Sequence, residues 1–132
     1  MNPKPCAGRF GVATNGSLVI GVGNLPGTGV WRLQGAAWQR STGINDTTSS
    51  GLGAQAIIQD RNGHLLASYD WGGNLYRSTN SGQSFTHLTN LVPDTAYSLL
   101  RGPDGTLYAG TEIGGVFYST NDAAGMGFTP KG

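Results

Sequence analysis

The sequence predicts an all-β protein built from three repeated units, and three observations support this fold class. A turn dipeptide followed by an apolar strand occurs three times, at residues 15–21, 62–68 and 104–110. The turn glycines Gly16, Gly63 and Gly105 are 47 and 42 residues apart, a spacing typical of propeller blades and solenoid repeats. Helix signals are nearly absent, because glycine or a β-branched residue interrupts every window in which an apolar period of 3.6 could develop. We therefore expect a β-propeller-type architecture.

The second unit, residues 54–88, shows its four strands most clearly. The dipeptide Asn62-Gly63 supplies the positive φ that a tight hairpin needs between its first two strands. Four antiparallel strands make one propeller blade. The predicted strands of this unit are residues 55–59, 64–69, 74–78 and 84–88.

The first and third units, residues 9–42 and 96–130, follow the same order. Trp31 and Trp38 fall at strand positions of the first unit, and we expect them to lie in the core. The polar segments 42–53 and 89–95 are predicted to link an outer strand to the next inner strand. Predicted strands are residues 10–13, 17–22, 29–33 and 38–40 in the first unit, which has a long middle turn at 23–28, and 97–100, 106–110, 116–119 and 128–130 in the third.

Three blades are too few to close a propeller, which needs about four to eight. An open half-ring would leave apolar flanks of the first and third blades exposed, which natural proteins avoid. We expect two copies of the chain to pair into a six-bladed ring, so that the chain is its own partner. There are two alternatives: the chain is a fragment of a longer propeller, or other subunits close the ring.

Composition narrows the classes of partner and cofactor. Charged residues make up 11% of the chain and the formal net charge is +1, with no run of Lys or Arg. We therefore expect neither a nucleic-acid nor a membrane partner. Cys6 is the single cysteine, which excludes an internal disulfide and a multi-cysteine zinc site. No metal or cofactor is predicted, and the absence of a signal-like or membrane-length apolar stretch predicts a soluble protein, cytoplasmic or secreted with its signal removed.

One turn carries a family resemblance. The stretch STNSGQSF, residues 78–85, resembles the Asp-box hairpin of sialidases, sortilin-type receptors, plant-type photosystem assembly factors and xyloglucan-degrading glycoside hydrolases. Asn80 stands where that motif has its Asp, and an Asn side chain can make the same bonds to the turn backbone. The resemblance implies a propeller of such repeats. It also implies that Ser78, Asn80, Gly82 and Phe85 are scaffold, on the face away from the usual binding site.

The opposite face carries the predicted ligand-binding residues. Alternation of strand direction brings the turns after the second strands to one rim, which presents Tyr69, Asp70 and Trp71 from the second blade and Glu112 from the third. An aromatic ring beside carboxylates can stack on a sugar while the acids accept its hydroxyl hydrogens. A Trp71 ring packed between blades is the competing interpretation.

The same carboxylates define an enzymatic alternative. Asp70 and Glu112 each precede a Gly-Gly pair, in a pattern that resembles the catalytic Asp stretch of the xyloglucan-degrading hydrolases. Two carboxylates about 5 to 9.5 Å apart are what glycosidic hydrolysis needs. In the competing interpretation these acids cap their turns by accepting backbone N–H bonds. The sequence thus predicts a binding or interaction module for a glycan or protein ligand without catalytic residues, with a carbohydrate-active hydrolase using Asp70 and Glu112 as the alternative.

Overall fold

The computed structural model describes residues 6–23, 29–44, 53–69, 75–88, 96–122 and 127–131. These residues form three four-stranded antiparallel sheets, which we call blades 1, 2 and 3. This result confirms the predicted all-β fold with four strands in each repeat. The strands are β1 (Cys6–Val12), β2 (Leu18–Gly23), β3 (Gly29–Gln34) and β4 (Ala37–Arg40) in blade 1, β5 (Ala54–Gln59), β6 (Leu65–Tyr69), β7 (Leu75–Ser78) and β8 (Thr86–Leu88) in blade 2, and β9 (Ala96–Arg101), β10 (Leu107–Thr111), β11 (Val116–Ser119) and β12 (Thr129–Pro130) in blade 3.

Each blade begins with its inner strand, which lies at one edge of the sheet. The inner strands β1, β5 and β9 lie side by side, β1 against β5 and β5 against β9. Each also carries a register shift near its start, after Ala7 in β1, after Ala54 in β5 and beside Ala96 in β9. Such bulges bend a strand and increase its twist. The three blades therefore repeat a fine backbone detail as well as their strand order.

The blades pack face to face through two apolar clusters. The first lies between blades 1 and 2 and the second between blades 2 and 3. On β6, Leu65 and Ala67 enter the first cluster, whereas Leu66 enters the second. Successive residues of a strand point to opposite faces, so a strand with a blade on each side is buried along its whole length. All five residues of β6 are buried accordingly.

Pairing register makes the three blades directly comparable. In blades 2 and 3, we call the face that contacts the preceding blade the leading face and the opposite face the trailing face. In blade 1, the trailing face contacts blade 2, and the opposite face is the leading face. Leu65 and Leu107 occupy the same leading position in blades 2 and 3, and both are completely buried. Leu18 holds that position in blade 1, as its place at the start of β2 shows. On the trailing faces, Val19 and Leu66 are equivalent and equally buried.

The turn between β7 and β8 is closed by its own side chains. The Ser78 hydroxyl donates to Asn80 Oδ1 over 2.9 Å, and the backbone N–H of Ser84 donates to the same oxygen over 2.9 Å. Phe85, which follows the turn, is buried in the first cluster. Ser119 and Asn121 form the equivalent bond in blade 3, at 2.8 Å. These residues build and anchor the two turns.

The segment after β4 is docked on blade 2 rather than being a plain polar link. The Ser41 hydroxyl donates to Gly82 O over 2.5 Å, and Thr42 exchanges backbone bonds with Gln83 and Phe85 at 3.0 and 2.9 Å. Ile44 is buried in the first cluster. The sequence interpretation of residues 42–53 as a link missed this docking, because its polar residues bond to a turn more than 40 positions away.

The predicted core position of Trp38 is wrong. Its side chain lies on the leading face of blade 1 and is 44% exposed, whereas the equivalent Phe85 and Phe128 are buried at the two junctions. Trp31 lies on the same face, half-buried, with the Arg40 guanidinium 5.9 Å from its ring centroid. The reason for the difference is that no described blade covers this face.

Candidate binding site

The predicted rim residues are only partly within the described structure. Glu112 is exposed at the start of the turn between β10 and β11. That turn is closed by the backbone N–H and the hydroxyl of Thr111, which donate to Gly115 O over 2.9 and 2.8 Å. Asp70 and Trp71 lie outside the described residues, so the distance between the two predicted carboxylates is not defined. The blade 3 turn thus presents one carboxylate to solvent.

The sequence places Tyr69 on the rim, but the structure buries its side chain. Tyr69 is 3% exposed, and its ring meets that of Tyr76 edge to face, with centroids 5.9 Å apart. As the last residue of β6, it points into the first cluster. Tyr69 therefore packs beneath the rim, and Ile113, which is 88% exposed, is the apolar side chain beside Glu112.

A groove of about 230 Å³ lies where the three inner strands meet. We call it the axial groove. Phe10, Ile57 and Leu99 occupy equivalent positions of β1, β5 and β9, and Phe10 is 61% exposed. The groove is lined by Phe10, Gln55, Ala56, Ile57, Tyr97, Ser98 and Leu99.

The axial groove extends toward the rim that carries Glu112. Its residues from β5 and β9 follow directly after Ala54 and Ala96, which pair with Tyr69 and Thr111 at the rim ends of β6 and β10. Sequence reasoning did not identify this groove, because it depends on how three strands from different blades assemble. The signal that could have found it is the shared position of the three inner strands in each repeat.

Polar bonds join successive inner strands at the end away from Glu112. Gln59 Nε2 donates to Val12 O over 2.6 Å, and Arg101 Nη2 donates to Gln59 O over 3.0 Å. Gln59 and Arg101 are equivalent residues, and so are the accepting Val12 and Gln59. The same side-chain-to-backbone bond is therefore made at both junctions.

A second hollow, of about 440 Å³, lies beside the hairpin turns at the other end of the inner strands. Arg61, Arg101 and Asp104 line it, but both arginines are bonded to the buried Asp122. Arg101 Nη1 lies 2.8 Å from Asp122 Oδ1, and the backbone N–H of Arg61 donates to Asp122 Oδ2 over 2.5 Å. This arrangement clamps blade 3 to blade 2 and pairs both guanidinium groups with the same carboxylate.

The electrostatics of the clamp depend on Asp122. Burial acts to raise the pKa of Asp122, but hydrogen bonds from Arg101 and Arg61 to its carboxylate outweigh this effect and lower the pKa to about 2. The same hydrogen bond from Arg101 raises the pKa of the guanidinium. The pair thus stays ionised at neutral pH.

Among the described residues, no three His, Cys, Asp or Glu side chains converge in a way that could hold a metal ion. The described part of the chain also contains no helix that is long and apolar enough to cross a membrane.

Three sheets that pack around adjoining inner strands define a β-propeller-type protein. No family model matches the chain, and no curated protein matches it. Among solved structures, it is similar to the β-propeller YCF48 bound to a D1 peptide, with a TM-score of 0.59 and 19% sequence identity. The match covers 96% of this chain and 40% of that one, so the chain spans well under half the length of this structural neighbour.

Proposed function

We propose that this chain is a protein-interaction module that binds an extended peptide segment of a partner in the axial groove. The observation that carries the proposal is the groove itself, which joins the inner strands of all three blades and is lined by the half-buried ring of Tyr97. An aromatic ring in a concave surface is a typical anchor for a ligand side chain.

The inner strands also offer backbone recognition. Because β1, β5 and β9 lie at the edges of their sheets, each carries a row of N–H and C=O groups on the side away from its ladder partner. An extended peptide can use such groups for main-chain hydrogen bonds, while pockets between side chains select its sequence. The similarity to a propeller that was solved with a peptide supports this class of ligand.

The rim would supply selectivity at the mouth of the groove. In this proposal Glu112 accepts hydrogen bonds from the peptide or pairs with a basic side chain, and Ile113 contacts an apolar one. Asp70 and Trp71 would act from the corresponding turn of blade 2. Tyr69 would support that turn from below.

The proposal is tested with an array of immobilised peptides, followed by titration of the strongest binder. We expect Tyr97→Ala, in the groove, to weaken binding at least tenfold, because it removes one wall. His87→Ala changes an exposed aromatic residue on the outer strand β8 and serves as the matched control. Equal affinities of the two variants, or no binder on the array, would contradict the proposal.

Carbohydrate is the second candidate ligand, favoured by the exposed carboxylate of Glu112 and by the Trp71 that the sequence puts at the matching turn. Binding to a glycan panel that is lost in Trp71→Ala, with thermal stability unchanged, would support it. The hydrolase alternative predicts turnover on polysaccharide that disappears when Asp70→Asn and Glu112→Gln are combined. A parent chain without turnover on a broad panel would exclude that alternative.

The motif in the β7–β8 turn and the blade count lead to two finer proposals. We assign the repeats to the Asp-box type, supported by the side-chain bonds of Ser78 and Asn80. We also propose that two copies close a six-bladed ring, supported by the uncovered faces of blades 1 and 3. Light scattering tests the ring, since one chain has a mass of 13.7 kDa and the closed dimer has twice that mass.

A further inference from the structure

The two uncovered blade faces carry most of the exposed large apolar side chains. Phe10, Val12, Leu18 and Trp38 are exposed on the leading face of blade 1. Leu100 and Val116 are exposed on the trailing face of blade 3. Large apolar side chains exposed together on one face are typical of an interaction surface.

We propose that these faces are the two halves of one inter-blade junction, so that blade 3 of a second copy covers blade 1. The inference rests on the proposed ring and specifies which residues close it. Its basis is the equivalence of positions among the three blades.

The leading face of blade 1 matches faces that are covered by a blade in this structure. Leu18 is equivalent to Leu65 and Leu107, which are completely buried by the preceding blade. Trp38 is likewise equivalent to the buried Phe85, at the end of the β7–β8 turn. The exposed side chains of blade 1 therefore occupy positions that elsewhere in the chain contact the trailing face of a neighbour.

The trailing face of blade 3 matches in the same way. Val116 is equivalent to Val30 and Leu75, which are completely buried in the first and second clusters. Tyr108 is equivalent to Val19 and Leu66. This face thus has the apolar positions that receive the next blade in both observed junctions.

The contacts between inner strands at the two observed junctions identify the residues that should meet at the junction between copies. In the first junction, a Cβ built at Gly11 lies 2.6 Å from Ile57 Cγ2 and 3.2 Å from Ile57 Cβ. In the second junction, the equivalent Ile58 and Leu99 both pack against the second cluster. At the free ends, the equivalent residues are Leu100, which is 67% exposed, and Phe10.

The two free faces also carry small residues where the observed junction between blades 1 and 2 brings two backbones closest together. Gly21 on the trailing face of blade 1 approaches Ala54 so closely that a Cβ would lie 2.6 Å from Ala54 Cβ. The equivalent positions at the free ends are Gly110 and Ala7, again a glycine and an alanine. The small residues needed for close approach are thus present in both halves.

A second copy is the occupant that these observations favour, because one chain supplies both faces. Two copies joined head to tail give six blades, within the four to eight that close a propeller, whereas three copies would give nine. The contact between blade 3 and blade 1 is made twice in the ring, once at each of the two junctions between copies, as a two-fold axis requires.

Disulfide trapping tests the junction. We would mix Phe10→Cys chains with Leu100→Cys chains, each in a Cys6→Ser background, under mild oxidation. A Cβ built at Gly11 would lie 3.2 Å from Ile57 Cβ, slightly less than the 3.5 to 4.5 Å between the Cβ atoms of a disulfide. We therefore expect a covalent dimer in the mixture and none in either variant alone. Phe10→Cys mixed with Ile113→Cys, on the rim, is the matched control and should not crosslink.

Each other outcome overturns the inference in a recognisable way. Crosslinking in Phe10→Cys alone would mean that blade 1 packs on blade 1. A dimer of the unsubstituted chain by light scattering, without crosslinking in the mixture, would keep a dimer but reject this junction. A monomer that still binds peptide would reject the ring and leave the binding function intact.

Discussion

At the scale of single residues, Asp122 joins two blades through its side chain. It follows β11, in a left-handed conformation with φ of 55°, and its carboxylate bonds to Arg61 and Arg101 of the two nearest hairpins. Non-glycine residues adopt this conformation at a cost, which the surrounding contacts must offset. Ser81 adopts the same conformation, with φ of 60°, at the equivalent position of blade 2. The repeat thus provides the backbone conformation, while the acid at this position makes the clamp.

The clamp predicts a pH dependence of stability. The pKa of Asp122 is about 2 in the folded chain against an ordinary value of 3.8, so the unfolded state binds the proton more tightly. The stabilisation is complete above about pH 4 and is lost as the pH falls through 2, and its size is about 2 kcal/mol. We expect Asp122→Asn to remove this part of the pH dependence of the urea-unfolding free energy. Glu112→Gln, at an exposed carboxylate, is the control, and identical pH profiles for all three proteins would contradict the role of the clamp.

At the scale of elements, the docked segment after β4 requires a glycine. Gly43 has φ of 79°, and a Cβ there would clash with Phe85 O. Gly35, in the β3–β4 turn, has φ of 63° and open space around it. Both positions need the left-handed conformation, but only Gly43 is also pressed against another backbone.

This difference predicts unequal costs for two alanine substitutions. We expect Gly35→Ala to lower the unfolding free energy by about 1 to 2 kcal/mol, the cost of the left-handed conformation. Gly43→Ala should lower the unfolding free energy by that amount and by about 1 to 3 kcal/mol more, because the added methyl group overpacks the contact with Phe85. Urea denaturation of both variants measures the difference between these two costs. Equal decreases in unfolding free energy would show that the segment is not docked as described.

The strands could be predicted from sequence because their signals are local. Turn dipeptides and alternating apolar residues give the bounds of β11 without error and those of most other strands to within one or two residues. The exposure of Glu112 follows from its turn in the same way. The burial of Tyr69, the exposure of Trp38 and the axial groove could not be predicted, because each depends on which blade lies against which face.

At the scale of the whole molecule, folding and assembly use the same kind of contact. Phe85 and Trp38 occupy equivalent positions, one between two blades of the chain and the other on an uncovered face. A residue of this type therefore serves the fold in one blade and, in our proposal, the ring in another.

Alanine at these two positions should separate the two roles. We expect Phe85→Ala to lower the unfolding free energy by about 3 to 5 kcal/mol, as for other buried aromatic residues. Trp38→Ala should leave circular dichroism unchanged and shift the protein from dimer to monomer in sedimentation at micromolar concentration. A Trp38→Ala protein that remains a dimer, or that unfolds as readily as Phe85→Ala, would contradict this division.

The bonds from Gln59 to Val12 O and from Arg101 to Gln59 O have a consequence for how such a chain can change over generations. Their acceptors are main-chain carbonyls, which every residue type possesses. A unit inserted, lost or exchanged in one step would therefore find an acceptor in whatever unit precedes it, without a matching substitution there. Growth and shortening of the array are thus open to units that carry a side-chain donor at this position, as blades 2 and 3 do with Gln59 and Arg101.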